Sequence, residues 1–156
     1  MRGKKRAAFI CKPQNGCQGR GIFLTRRPQK TLKLTDRYIV QQYIARPLLI
    51  DGFKFDLRIY VLVTACDPLR IYIFREGLAR FATMPYSDPV NSNMEETCMH
   101  LTNYSINKHS DDFVRDEESG SKRKFSSVNK YLETNGYDVA KVTLPVSRRW
   151  RLRRFD

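Results

Sequence analysis

The sequence contains no apolar run near the roughly 20 residues that a membrane-spanning helix needs, so none of its segments reads as a helical span. Residues 1–6 imitate the charged start of a signal peptide. The apolar stretch behind them, residues 7–11, is too short for the hydrophobic segment, and Lys12-Pro13 ends it. Cysteine is scarce: Cys11, Cys17, Cys66 and Cys98 form no Cys-x-x-Cys pair, and His100 and His109 stand too far apart for His-Glu-x-x-His. Neither a zinc site nor a disulfide framework is therefore expected, and a reduced cytosolic setting fits. The Asn103-Tyr104-Ser105 sequon should stay unused without a secretory signal. Gly-x-x-x-x-Gly-Lys-Ser/Thr is missing, as are the His-Arg-Asp and Asp-Phe-Gly motifs of protein kinases. Acidic residues are in deficit, 16 against 29 Lys and Arg, for a net charge of +13. Such a surplus asks for an acidic partner: nucleic acid, an anionic membrane or acidic protein tails. Tryptophan occurs once, Trp150, inside the basic run 148–154. A single-strand nucleic-acid binder needs aromatics interleaved with its cations, and that one residue is a poor supply.

What is present is led by residues 53–63, Phe-Lys-Phe-Asp-Leu-Arg-Ile-Tyr-Val-Leu-Val. Side chains of a strand alternate between faces. Phe53, Phe55, Leu57, Ile59, Val61 and Val63 would share a core face, and Lys54, Asp56 and Arg58 would line the other. Two strand rises, about 7 Å, separate successive charges. A fixed cation, anion and cation suit a ligand bearing negative charge and hydrogen-bond donors; a solvated face with cross-strand pairs uses the same residues.

The 156 residues suggest one domain or one large piece of a bigger one, and 41% hydrophobic content can bury a core. Strands are expected over 7–11, 22–25, 37–44 and 53–65, with a glycine-rich loop at 16–21 and a polar surface connection at 26–36. Asp67-Pro68 reads as a turn into a strand over 69–74, and Glu76-Gly77 as a hairpin turn into 78–83. Residues 85–96 read as a loop, 100–106 as a short strand, and 119–124 as a mobile basic segment. Ser126 or Ser127 could cap a helix running through Glu133, with Asn135-Gly136 as its stop. Three regions are expected: a basic leader (1–8), a strand-rich domain (9–139) and a divergent basic tail (140–156), whose run 148–154 has neither helical nor strand periodicity and reads as disordered.

Lys12, at a strand end beside three glycines, is a candidate phosphate holder, because glycines let backbone N–H groups approach an anion. A flexible surface turn uses the same residues. Gln41-Gln42-Tyr43-Ile44 ends a strand; its backbone could read an adenine edge with Tyr43 or Ile44 on the ring, or it is an ordinary strand end. Arg80 sits among small apolar neighbours, where a guanidinium is costly to bury unless it meets an anion. Its fork suits a carboxylate held at two points; a rim arginine is the other reading. Lys108 is a further candidate anion partner or plain surface.

Five segments in order resemble the tubulin–tyrosine-ligase-like family, most closely its polyglutamylases. They are Phe-Ile-Cys-Lys-Pro with Gly-Cys-Gln-Gly-Arg-Gly-Ile (9–22), Gln-Gln-Tyr-Ile (41–44), residues 51–63, Gly-Leu-Ala-Arg-Phe-Ala-Thr (77–83) and His-Leu-Thr-Asn-Tyr-Ser-Ile-Asn-Lys (100–108). The resemblance implies an α+β, partial ATP-grasp fold of mostly antiparallel strands with few helices. It implies an ATP-dependent ligase that adds glutamate to glutamate side chains of tubulin C-terminal tails through an acyl phosphate, with ATP and Mg2+ as cofactors. Carried over by residue, Lys12 and Lys54 would hold phosphates. Gln18 and Gly19 would belong to the loop over them, and Gln18 and Arg20 would face the acceptor peptide. Gln41, Gln42, Tyr43 and Ile44 would form the adenine hinge; Phe55, Asp56, Thr102 and Asn103 would join the nucleotide cleft; Arg80, Tyr104 and Lys108 would hold free L-glutamate. Tubulin or microtubules are the implied partner rather than nucleic acid or membrane, in the cytoplasm and cytoskeleton, with cilium or basal body among the settings.

The resemblance fades after Val139, where the family continues with helices, a magnesium-binding aspartate and a Glu-x-Asn pair. The start is abrupt too, since the family has a lobe ahead of the lysine strand. The expectation is a central portion of the enzyme with no metal ligands of its own, apolar surface left open and catalysis lost. The alternative is a non-catalytic nucleotide- or microtubule-binding fragment.

Overall fold

The computed structural model describes residues 7–33, 35–139 and 153–155. It is α+β, with eight strands and four helices among the described residues. The chain divides into two compact units. The first takes the chain up to Phe55 together with Phe81–Phe113; the second takes Asp56–Arg80 and the chain from Val114 onward.

The first unit carries a three-stranded antiparallel sheet of β1 (Phe9–Pro13), β2 (Phe23–Thr25) and β3 (Tyr38–Gln42), in the order β2-β1-β3. Ile10 lies opposite Leu24 on one side and Gln41 on the other. Ala8, Leu24 and Tyr43 bury together behind the sheet, with Ile10, Ala45, Tyr86 and Met94 packed against them. The polar connection expected over 26–36 contains a short helix, α1 (Pro28–Thr31), with Pro28 buried at its first turn, where proline's fixed φ and missing N–H cost nothing.

β4 (Leu49–Ile50), β5 (Phe53–Cys66), β6 (Leu69–Phe81), β7 (Lys122–Lys124) and β8 (Arg153–Phe155) form the other sheet. The order is β4-β5-β6-β7, with β8 parallel to β6. β5 and β6 run through both units. A two-residue connection, Asp67-Pro68, joins them as the sequence suggests.

Four sequence expectations need correction. Glu76-Gly77 is not a turn: β6 is one unbroken strand from Leu69 to Phe81. A Cβ on Gly77 would stand 2.5 Å from the Arg58 carbonyl oxygen, so the glycine serves a close approach of two backbones. Residues 100–106 are not a strand; α2 (Thr97–His100) and α3 (Tyr104–Asn107) flank a three-residue break, Leu101 to Asn103. Part of the segment expected to be mobile, residues 122–124, is β7, pairing Leu78, Ala79 and Arg80. The expected apolar core face also fails beyond Leu57: Ile59, Val61 and Val63 are 38%, 50% and 51% exposed.

Helix α4 (Phe125–Thr134) starts two residues earlier than a Ser126 cap would allow, and the residue at its cap position, Lys124, does not close it with its side chain. Glu76 does so from β6, accepting the Ser126 N–H at 3.1 Å and the Gly77 N–H at 3.0 Å. The first N–H groups of a helix lack intrahelical acceptors, so a carboxylate there is stabilised. Burial raises the Glu76 pKa, but the hydrogen bonds from Gly77, Ser126 and Phe125 outweigh it and hold the carboxyl below its usual value. Asn135 and Gly136 (φ +78°) end the helix as expected. The basic run 148–154 lies largely outside the described residues; Arg153–Phe155 is a strand.

Candidate functional site

In the first unit, β1 carries Lys12 next to its last residue, Pro13, and delivers the chain into the glycine-rich loop. Gln18, Gly19 and Gly21 all have positive φ, 58°, 88° and 68°. That geometry is cheap for glycine and strained for glutamine. The loop is seated on the turn before α3. Ser105 Oγ donates to the Gln18 carbonyl, and a Cβ on Gly19 would meet Ile106 at 2.7 Å and Asn103 at 3.0 Å. Gln18, Gly19 and Asn103, three separately named candidates, are thus brought together. Lys12 and Gln41 also meet: antiparallel pairing sets β1 against β3, and Lys12 Nζ donates to Gln41 Oε1 at 2.6 Å.

Lys54 leaves β5 on the opposite face from Phe55, whose ring stacks on Phe81 with centroids 5.6 Å apart. Phe55 therefore serves packing with its side chain. Lys54 Nζ donates to the Tyr43 hydroxyl at 3.0 Å and to the His100 carbonyl at 2.7 Å, and lies 4.5 Å from the Tyr43 ring centroid. The Tyr43 hydroxyl is 3.1 Å from His100 Nδ1, and His100 Nε2 is 2.9 Å from the Asn93 carbonyl oxygen. A carbonyl can only accept, so Nε2 carries the hydrogen and Nδ1 accepts from Tyr43. The result is a directed chain: lysine to tyrosine to neutral histidine to backbone carbonyl. Burial lowers the His100 pKa; the Asn93 hydrogen bond pulls it back up in part, and the nearby Lys54 charge adds a lesser lowering. Burial, followed by the neighbouring Tyr86 phenol, pushes the Tyr43 hydroxyl well up.

This corrects one half of the adenine reading. Tyr43 is interior and engaged on its face by an ammonium, so its ring is not open for stacking. Gln41, Gln42 and Ile44, the last 74% exposed, are the accessible members of that segment.

His100 and Asn107 carry more than the sequence reading gave them. Asn107, 1% exposed, accepts from the Thr83 N–H at 2.9 Å and the Thr83 hydroxyl at 3.0 Å. Its amide donates to the Leu101 carbonyl at 2.8 Å and the Asn103 carbonyl at 3.1 Å. That bracket ties the exit of β6 to the backbone on either side of Thr102. Both residues sit in the 100–108 motif, but reading 100–106 as a strand that feeds a loop gave neither side chain an interior partner. Tyr104 and Lys108, one helical turn apart, do meet: Lys108 Nζ is 5.9 Å from the Tyr104 centroid, and Tyr104 packs edge-on against Phe113.

In the second unit Asp56 takes two arginines. Arg80 holds it at two points, Nε to Oδ1 at 3.0 Å and Nη2 to Oδ2 at 2.5 Å, and Arg58 approaches at 3.3 Å. The expected carboxylate for the Arg80 fork is thus present, and it is the chain's own. Arg80 belongs to the second unit, and Tyr104 and Lys108 to the first. Arg20 is exposed on the glycine loop.

The Lys12 and Lys54 ammoniums and the backbone N–H groups of a glycine loop with no room for side chains are donors of the kind a polyphosphate takes. For a divalent metal the fit is poor: among the described residues no three His, Cys, Asp or Glu side chains are grouped to hold one, and no step is derived through it. All four cysteines are free, and the buried Cys11 thiol is pushed up by burial. No helix among the described residues is long and apolar enough to cross a membrane.

Comparison with known sequences decides the lineage. The model of the tubulin-tyrosine ligase family matches residues 1–151. The chain belongs to this family. It is 61% identical over 137 residues to tubulin polyglutamylase TTLL13 of Mus musculus, an alignment covering 88% of this chain and 17% of that protein. Identity to tubulin polyglutamylase TTLL6 of Mus musculus is 60% over 141 residues, 90% of this chain and 17% of the relative. To a probable beta-tubulin polyglutamylase of Tetrahymena thermophila it is 51% over 145 residues, 90% of this chain and 12% of the relative. The chain thus spans about a sixth of the length of the first two relatives. Family membership accounts for the α+β class with antiparallel sheets and few helices, and it agrees with the resemblance drawn from the five motifs.

Proposed function

We propose that this chain belongs to an ATP-dependent ligase of the tubulin polyglutamylase type. The observation that carries the reading is that three contacts in the first unit each join residues named from different motifs: Lys12 with Gln41, Gln18 with Ser105, and Lys54 with Tyr43 and His100. The polyglutamylase names of relatives near 60% identity support the same reaction class. In this reading ATP supplies the phosphoryl group that turns an acceptor carboxylate into an acyl phosphate open to attack by the amine of glutamate.

The residues' parts follow from their chemistry. Lys12 and Lys54 present compact positive charge to phosphate oxygens. Gln18 and Gly19 offer backbone N–H groups from the loop, with Gln18 and Arg20 toward the acceptor peptide. Gln41, Gln42 and Ile44 read the base, with Tyr43 setting the Lys54 ammonium from behind. Thr102 and Asn103, held by Asn107, border the nucleotide. Phe55 braces the strand that carries Lys54 and Asp56. Arg80, Tyr104 and Lys108 capture glutamate, with Asp56 holding the Arg80 fork until substrate carboxylate competes for it. Acidic tubulin tails match the +13 charge, and the site of action is the microtubule, in cytoplasm or cilium.

Titrating the 156-residue chain with ATP, with and without magnesium, tests this by thermal shift. The expected result is a rise in melting temperature that Lys54→Ala removes and Arg80→Ala leaves in place. Glutamate binding should respond the other way round. Equal loss of both ligands from either substitution rejects the assignment of roles. The second reading, a nucleotide- or microtubule-binding segment without turnover, draws on the lack of a metal-holding cluster among the described residues. It predicts the same ATP shift with no tubulin glutamylation.

A further inference from the structure

An open cavity of about 960 Å3 lies in the first unit, and none of the residues discussed so far as nucleotide, glutamate or acceptor candidates lines it. Its walls are β2, α1 and the segment leading into α2. Three cations face it: Arg26, Arg27 and Lys30, against one carboxylate, Glu95. Among the described residues none of the three cations has a carboxylate partner. Arg26 is half-buried; its Nη2 donates to the Pro89 carbonyl at 2.7 Å, and its Nε is buried without an acceptor. A half-buried guanidinium satisfied by one neutral oxygen is an unusual expense in a folded chain, and it marks a place where negative charge is expected.

Two features select the kind of anion. Leu24, Met94 and Leu101 give the cavity an apolar wall, which inorganic phosphate does not use. And β2 is an edge strand, paired to β1 on one side with no described strand on the other. Exposed strand edges accept extended peptides by main-chain pairing, with alternate side chains going to pockets. We propose that this cavity binds an extended acidic peptide segment, which adds to the β2 edge, sets a carboxylate against Arg26, Arg27 and Lys30 and lays an apolar side chain on Leu24 and Met94. The site shares no residue with the nucleotide reading and stands independently of it.

Fluorescence anisotropy of a labelled peptide, glutamates interrupted by one leucine, tests the site on the full chain. Reversing the two exposed cations together, Arg27→Glu with Lys30→Glu, should weaken binding about tenfold or more, equivalent to about 1.4 kcal/mol. Arg70→Glu, an exposed reversal on β6 in the second unit, should change it less than about twofold if the site rather than the net charge is responsible. The milder pair Arg27→Gln with Lys30→Gln guards against misfolding and should lie between. The ATP thermal shift should be unchanged in both pairs. Equal losses in Arg70→Glu and the double reversal overturn the proposal in favour of bulk attraction. Unchanged affinity in both pairs overturns it outright, and so does displacement of the peptide by inorganic phosphate or ATP at matched ionic strength.

Discussion

The two ends of β5 place charge in opposite ways. At its start, in the first unit, Lys54 is cradled by neutral oxygens, the Tyr43 hydroxyl and the His100 carbonyl, inside a packed polar chain. A few residues on, in the second unit, Asp56 sits between Arg58 and Arg80. Beyond it the strand carries Tyr60, Val61, Leu62 and Val63, each at least half exposed. One strand thus passes from a site where burial and hydrogen-bond direction fix the chemistry to one where ion pairing does, and then to bare apolar surface. Neutral oxygens hold an ammonium by hydrogen-bond direction; an ion pair holds a guanidinium by charge, and a ligand carboxylate must compete for it.

The contrast can be broken most forcefully at Asn107. Asn107→Leu leaves the Thr83 donors and the Leu101 and Asn103 carbonyls without their buried partner, and should cost about 3 kcal/mol or more. Chemical denaturation would measure it, and a loss below about 1 kcal/mol would show the bracket to be dispensable. Next comes Asp56→Asn, which strips Arg80, 18% exposed, of its counter-charge. A loss of about 1–2 kcal/mol at low salt, shrinking as salt rises, is expected because the pair is partly solvated. A salt-independent loss would mean that shape, not charge, holds the arginine.

The first unit should instead answer to pH. His100 has its pKa lowered from 6.5 by burial, so below that value the unfolded chain binds the proton more readily than the folded one. Stability should hold steady above pH 6.5 and decline beneath it, by at most about 1.4 kcal/mol per pH unit from this group. His100→Gln should flatten that slope; an unaltered slope assigns the acid sensitivity to other groups. The smallest effect belongs to Val61→Thr, on the exposed stretch, at under about 0.5 kcal/mol. A larger loss would reveal that this surface is covered in solution.

Much of the architecture was legible, and the misreadings have physical causes. Alternation over 53–63 identified a strand but not which face would be covered, because cover comes from distant residues: Phe81 stacks on Phe55, while Val63 is left 51% exposed. Turn chemistry misled at Glu76-Gly77, where the pair serves the neighbouring strand and α4 rather than a reversal. Four-residue helices such as α2 and α3 are too short to display a 3.6-residue period, so residues 100–106 looked extended. In the candidate site, Lys12, Gln18, Gly19, Gln41, Lys54 and Asn103 were named from motifs. His100 escaped because a lone histidine carries no sign of the tyrosine and carbonyl that will direct its tautomer.

Gly77 extends the reach of the Asp56 cluster beyond its charged members. Its missing side chain lets β6 press on the backbone of Arg58, whose guanidinium braces Asp56. Adding a single methyl there would wedge the two strands apart and retune an electrostatic triad without touching any of its ionised groups.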